Sequence, residues 1–277
     1  MARSIQIDSR FLLYIDILGF AELTRSQPKT IQRIYAILDS LNVHTHGTFR
    51  TVVFSDTVLV YNPILAATDE EREYLVWYLI EFAEDLHHRL TGQSVYFRAV
   101  ITAGAFSHYR LKNVECYFGE ALVNAYYVEK QIPSIGLFIH KRCNKYNKYF
   151  RVATFDDNYH FVYLNRSLEY LDKYTGGTYP MLDPSLEDQA PHVPWQVRFL
   201  EDVYRAMRTH PNPRVRTKFL TAWDYYAKRY PGMIQALTQH SFSLMALAGR
   251  QAWVDEMKRM KADINHFKKI GRIPRVP

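Results

Sequence analysis

The chain has 277 residues, 48% hydrophobic and 23% charged, enough to bury a substantial core and ordinary for a globular protein. Two cysteines, Cys116 and Cys143, supply neither a disulfide framework nor a metal-ligand spacing. No apolar run is long enough for a bilayer and MARSIQIDSR carries no leader pattern, so a cytoplasmic protein away from membranes is expected. The formal charge of +7 is moderate and gathers near the C-terminus, which is weak evidence for nucleic acid, and no nucleic-acid partner is expected.

After a short lead-in over residues 1–9, FLLYIDILGF predicts a buried strand over Phe11–Ile17, in which Asp16 is the one charge. Gly19 permits a tight exit from it. A helix is expected from Pro28 to about Val43, with Ile31, Ile34, Tyr35, Leu38 and Leu41 on one face. TVVFSDTVLVY reads as two strand halves, Thr51–Phe54 and Thr57–Tyr61, with Ser55-Asp56 as the hairpin tip. Thr68 to Glu71 is a helix-start signature for a long helix, Asp69–Leu90. His87 and His88 at its end point to different sides and suit the helix dipole better than a metal.

Val95–Ala103 is the third strong strand and carries Arg98. That arginine is read either as an outward edge position or a carboxylate's partner, or as a guanidinium reaching base or phosphate. Ser107–Cys116 reads as a polar hairpin loop, and Gly119-Glu120 opens a helix to about Gln131 with Asn124 in its first turns. Short strands follow at Ile135–His140, Phe150–Thr154 and His160–Leu164. The Pro- and Gly-bearing stretch Tyr174–Pro194 marks a boundary. Beyond it, helices are expected over Trp195–Thr209, Pro213–Arg229, Met233–Ala248 and Gln251–Phe267, with basic residues outward and no catalytic constellation. The basic tail Lys258–Arg275 reads as a solvated face, or else as a segment docked on the core. The expected fold is α+β: an antiparallel, palm-like sheet with helices on one face (residues 8–175) and a C-terminal helical region (190–277).

Two carboxylates, Asp16 and Asp56, thus sit about forty residues apart at the ends of apolar strands. Either alone is simply the cap of a turn. Together they are what a cation needs, since carboxylates in apolar surroundings require compensation and divalent ions prefer oxygen ligands. Phosphoryl or nucleotidyl transfer uses such a site.

FLLYIDILGF resembles the FxDIxGF opening of the class III nucleotidyl cyclases, and FSDTVLV is similar to that family's second metal-aspartate hairpin. FRAVITAGAF and FGEALVNAYYVEK are like its RxGIHxG strand and GxxVNxAxR helix start. The likeness covers roughly residues 8–165, and the wording of these motifs is most similar to the bacterial Pycsar pyrimidine cyclases, which make cyclic UMP or cyclic CMP as an antiphage signal read by a downstream effector.

The resemblance implies intramolecular attack of a ribose 3′-oxygen on the α-phosphate, with two Mg²⁺ or Mn²⁺ ions held by Asp16, Asp56 and the Ile17 carbonyl. It implies phosphate contacts from the Gly19 and Phe20 amides, a homodimer with interfacial sites, and a ribose- or phosphate-touching role for Asn124. Two positions depart from the family pattern. Val128 stands where the family has an arginine, leaving Arg98 or Arg50 to stabilise phosphate. The adenine-reading lysine is absent, with Arg50-Thr51-Val52 in its place, and its opposite number falls at Cys116-Tyr117. An arginine can donate to the uracil carbonyls but cannot satisfy adenine's amino group, so Arg50 and Tyr117 favour UTP as substrate. The alternatives are a cytidylate cyclase, an ordinary adenylate or guanylate cyclase, an inactive nucleotide-binding relative, and a palm acting on nucleic acid.

Overall fold

Strand β1 (Asp8–Ile17) sets the layering, because a strand's side chains alternate between faces. Phe11, Leu13, Ile15 and Ile17 pack on one side of the sheet and Leu12 and Tyr14 on the other. The computed structural model describes residues 8–45 and 47–270. Residues 1–7 of the expected lead-in and the end of the basic tail, 271–275, lie outside the described residues.

Gly19, at φ 72° and ψ 13°, turns β1 directly into α1 (Phe20–Ser26), a short helix not expected from the sequence. α2 (Pro28–Asp39) follows, starting on its proline, and a 3₁₀ turn over Asn42–Thr45 replaces the last helical turn expected before Val43. β2 (Arg50–Phe54) and β3 (Thr57–Tyr61) form the hairpin, and α3 (Asp69–Leu90) begins with a full capping box between Thr68 and Glu71. α2 and α3 cover the Leu13 face, where Ile34, Ile37, Val76, Leu79 and Ile80 are wholly buried. Each such side chain contributes roughly 1.5–3 kcal/mol by leaving water.

β4 (Phe97–Arg110) runs on into the segment expected to be a loop, through Arg110, and returns as β5 (Glu115–Phe118). α4 (Glu120–Gln131) then crosses the sheet on the Tyr14 face. β6 (Gly136–His140), the single turn α5 (Lys141–Asn144), β7 (Val152–Thr154) and β8 (Tyr159–Val162) complete the sheet, whose order is β2-β3-β1-β4-β6-β8-β7 with β5 paired to β4.

The α+β fold with C-terminal helices is as expected, with two corrections of detail. The sheet is mixed, because β6 lies parallel to β4 after the α4 crossover. Helices cover both faces, because β4 and β6 are apolar on both sides: Ala99, Ile101, Leu137 and Ile139 face α2 and α3, whereas Val100 and Phe138 face the other way.

The chain continues through α6 (Arg166–Thr175) and the turn α7 (Leu186–Gln189) to α8 (Val193–Thr209) and α9 (Pro213–Arg229). The helix expected over Met233–Ala248 divides into α10 (Pro231–Gln239) and α11 (Met245–Ala248), because Ser241 and Phe242 take positive φ. α12 (Val254–Lys269) folds back on α3, and Gln93, just beyond the end of α3, donates to the Ile264 carbonyl at 3.0 Å. We keep the division at 174–194 as a proposal about folding units. In space, the helices beyond it share one core with the sheet: Phe161 of β8 stacks flat on Tyr225 of α9 at 4.3 Å.

His87 and His88 belong to this packing. His87 meets Phe199 edge-on at 4.3 Å and His88 stacks on Trp195 at 5.0 Å. Burial pushes both imidazoles well below their ordinary range, to about 3 and about 4. They are neutral interior rings between α3 and α8.

Candidate active site

Asp16 lies on β1 directly between Thr57 of β3 and Arg98 of β4, on the sheet face that carries Tyr14 and receives α4. Asp56 reaches the same place through the two-residue tip between β2 and β3, where Ser55 takes φ 56°. The Ile17 amide donates to the Asp56 carbonyl at 2.9 Å, and the Tyr35 hydroxyl donates to the Ser55 carbonyl at 3.0 Å. Leu18 donates to the Tyr96 carbonyl at 2.9 Å. Backbone bonds on both sides thus hold the two aspartates together at one end of the sheet.

The chemistry around them is richer than the sequence indicated. Arg98 does not point outward: its Nη1 donates to the Ile132 carbonyl at 2.6 Å and its fork is engaged by Glu129 of α4. Its Nη2 stands 3.8 Å from Asp16, with the arginine side chain 8% exposed and that of Glu129 3%. These contacts commit the guanidinium to carboxylate and carbonyl partners, so it orients the site and is not free to reach a base.

Lys218 of α9 is half-buried and lies in the field of Arg98, Asp16 and Glu129. Glu129 and Lys218 carried no sequence signal. Glu129 reads as an ordinary helix surface position, and Lys218 belongs to a helix whose basic residues were expected outward.

Burial pushes the Asp16 carboxyl up to about 7; the Glu129 and Asp56 charges add to this and Arg98 opposes it. The hydroxyls of Tyr14 and Tyr35 are also raised, chiefly by burial, with the aspartate charges contributing. Ionisation of Asp16 is thus opposed mainly by its burial and further by the neighbouring carboxylates of Glu129 and Asp56. This donor chemistry fits a hard divalent cation. Among the described residues no group of three or more His, Cys, Asp and Glu side chains is gathered to hold a metal, so the expected donors remain Asp16, Asp56 and main-chain oxygen such as that of Ile17. Gly19 is exposed beside them; the Phe20 ring is buried against Tyr35 at 6.2 Å, leaving only its main chain for a ligand.

The remaining expected residues lie elsewhere. Asn124 is exposed on α4, donating weakly to Glu120 at 3.4 Å. It lines a separate cleft of about 310 Å³ with Thr102, Val128, His140 and Arg142, and neither Asp16 nor Asp56 borders that cleft. Arg142 brings a guanidinium to the place where Val128 offers none.

Arg50 and Tyr117 come together. Arg50 begins β2 opposite Tyr61, whose hydroxyl is 2.7 Å from His108 Nδ1; His108 stacks on Tyr117 at 4.5 Å, and the Tyr117 hydroxyl donates to Glu115 at 2.6 Å. Arg50 acts electrostatically on Tyr61, Glu115 and Tyr117. This aromatic and charged group sits at the far end of β2 from Asp56, roughly 13 Å along a strand of that length.

No family model and no curated protein matches the chain. Solved structures similar to it include the monomeric guanylyl cyclase domain of the RhoGC fusion protein from the aquatic fungus Blastocladiella emersonii, at 16% identity and a TM-score of 0.45, covering 56% of this chain and 95% of that one. The guanylate cyclase domain of RhGC from Catenaria anguillulae in complex with GTP is 14% identical with a TM-score of 0.45, covering 57% and 97%. The adenylyl cyclase CyaB from P. aeruginosa is 11% identical with a TM-score of 0.41, covering 58% and 96%. Among the described residues no helix is long and apolar enough to cross a membrane.

Proposed function

We propose that this chain is a nucleotidyl cyclase acting on UTP, forming 3′,5′-cyclic UMP and pyrophosphate as a second messenger in antiphage defence. The observation that supports the reading is that backbone bonds hold Asp16 and Asp56 at one end of the sheet, where burial and the neighbouring carboxylates oppose ionisation of Asp16. Asp16, Asp56 and the Ile17 carbonyl would hold Mg²⁺ or Mn²⁺. When bound, the ions would lower the pKa of the ribose 3′-hydroxyl and neutralise the departing pyrophosphate.

The chain's own residues do the positioning. Arg98 and Glu129 fix the Asp16 carboxylate, Tyr35 steadies the hairpin tip, and the amides at Gly19 and Phe20 lie where phosphate oxygens would be met. The 3′-oxygen bonds to the α-phosphorus as the bond to the bridging oxygen breaks, and the hydroxyl proton passes to water. A homodimer is supported by the exposed apolar residues Val123, Tyr126 and Tyr127 on α4 and Phe118 on β5. In such a pair Asn124 and Arg142 of each copy would serve the other's aspartates. Arg50 and Tyr117 would read the base, with the arginine donating to uracil carbonyl oxygens. An effector would then meet the enzyme only through the cyclic nucleotide.

The test is incubation of the purified protein with ATP, GTP, CTP and UTP separately, with Mn²⁺, and identification of products by mass. Cyclic UMP is expected. Cyclic CMP or a cyclic purine would overturn the base assignment while keeping the chemistry, and absence of every cyclic product would overturn the cyclase reading in favour of a nucleotide-binding protein.

A further inference from the structure

We infer that Lys218 is a phosphate-binding residue of the Asp16–Asp56 site, delivered by the C-terminal helices, and that its ammonium grips the polyphosphate of the substrate. The inference rests on the cyclase reading for the identity of that substrate, but its geometry is independent of it. α9 is fixed against the site end of the sheet: Phe219, the residue after Lys218, is buried and meets Tyr96 edge-on at 4.7 Å. The Tyr96 carbonyl in turn accepts the Leu18 amide, two residues beyond Asp16. α9 is therefore held at the end of the sheet where Asp16 lies.

Two other cations of the same helix are engaged elsewhere. Lys228 pairs with Asp224 at 2.8 Å in solvent, and Arg229 pairs with Glu169 at 2.5 Å. Lys218 differs from both: it is half-buried and feels the charges of Arg98 of β4, Asp16 of β1 and Glu129 of α4, without a salt bridge to either carboxylate. Arg98 has already satisfied Glu129 and the Ile132 carbonyl. Of the two cations here, the lysine is the one whose donors are available to an incoming anion. A compact ammonium on a flexible stem suits a polyphosphate, which offers many oxygens and no single fork geometry. The helical region is on this account a wall of the site.

The experiment uses inorganic tripolyphosphate with Mg²⁺ as probe, measured by calorimetry on the full chain. Lys218→Met should weaken binding about tenfold or more, as expected for losing a charged hydrogen bond, and Lys218→Arg should stay within about threefold of wild type. Lys228→Met, on the exposed part of the same helix, should bind as wild type. Tripolyphosphate binding by Lys218→Met equal to wild type would overturn the proposal.

A second measurement needs no variant: amine-reactive labelling of the wild-type protein, mapped by mass spectrometry, with and without the probe. Protection of Lys218 but not Lys228 is expected, and equal labelling of Lys218 in both conditions would also overturn it. Cyclic-nucleotide formation is scored separately. A protein that makes no cyclic product but protects Lys218 sinks the cyclase reading and leaves the phosphate site standing; an active protein with unprotected Lys218 does the reverse.

Discussion

At the Asp16 end of the sheet, Arg98 and Glu129 are almost wholly enclosed and locked to each other, while Asp16 and Asp56 remain partly open above them. At the far end of β2, Arg50, Tyr61, His108, Glu115 and Tyr117 form a stacked group with its charged members near the surface. Both groups lie on one face of one sheet, and both mix aromatic and charged chemistry. Their difference is desolvation. Charges removed from water must be paired almost perfectly, so the first group is rigid and intolerant of loss. Exposed charges are screened, so the second can vary at small cost in stability. The enclosed end of the sheet is therefore the constrained one and the exposed end the more tolerant of substitution.

That contrast can be broken by mutation, most severely at the aspartates. Asp16→Ala or Asp56→Ala should lower turnover by about 10³-fold or more, the scale of losing metal-assisted charge stabilisation, with the thermal melt close to wild type. Retained activity in either variant would remove these carboxylates from the chemistry.

Next in size is the buried pair. Glu129→Ala leaves Arg98 enclosed without its main partner and should cost about 3–5 kcal/mol in urea unfolding. The double variant Arg98→Met with Glu129→Leu should recover most of that loss, and a double variant as unstable as the sum of the singles would contradict the pairing account.

The third expectation concerns pH. The folded Asp16 carboxyl is raised to about 7, so the metal-free native state binds a proton that the unfolded chain has already released. The stability from this group is therefore complete at acid pH, below the ordinary carboxylate range, and is lost as pH rises toward 7. Thermal melts of metal-free protein between pH 5 and 7.5, run against Asp16→Asn, should show a steeper decline in the native sequence. Added Mn²⁺ should reverse the trend, since it binds the ionised form. Parallel profiles for the two proteins would show that Asp16 does not carry the effect.

The smallest stability effect belongs to the exposed Arg50 group, proposed to read the base. Arg50→Ala should change stability by no more than about 0.5 kcal/mol, because the residue is exposed. Its catalytic efficiency with UTP should nevertheless fall about tenfold relative to other nucleotides, measured as kcat/KM for each. An unchanged ratio would take Arg50 out of base recognition.

Much of this molecule is legible locally. The continuous apolar run in FLLYIDILGF implies a buried strand with Asp16 at its edge, and observed β1 places Asp16 one residue from its terminus. Ser55-Asp56 between two apolar runs implies a hairpin tip, and the observed loop has those two residues. Thr68 and Glu71 imply a cap, and both halves of it form. These features follow from steric and hydrogen-bonding rules that act over a few residues.

Other features depended on where an element was carried. Helical periodicity says that Glu129 and Ala125 share a face, but not that this face meets Arg98. It likewise could not tell that Lys218, some two hundred residues beyond Asp16, would be half-buried and feel its charge while Lys228 faces water. Arg98 had two readings in the sequence and acquired its carboxylate partner only when α4 crossed the sheet. Strand and turn geometry is set by neighbours along the chain, so the amino-acid sequence by itself determined the two aspartates and the elements that carry them. The charges that surround them were decided only by tertiary structure, because long-range packing chooses which helix face is withdrawn from water and only then what each buried charge must pair with.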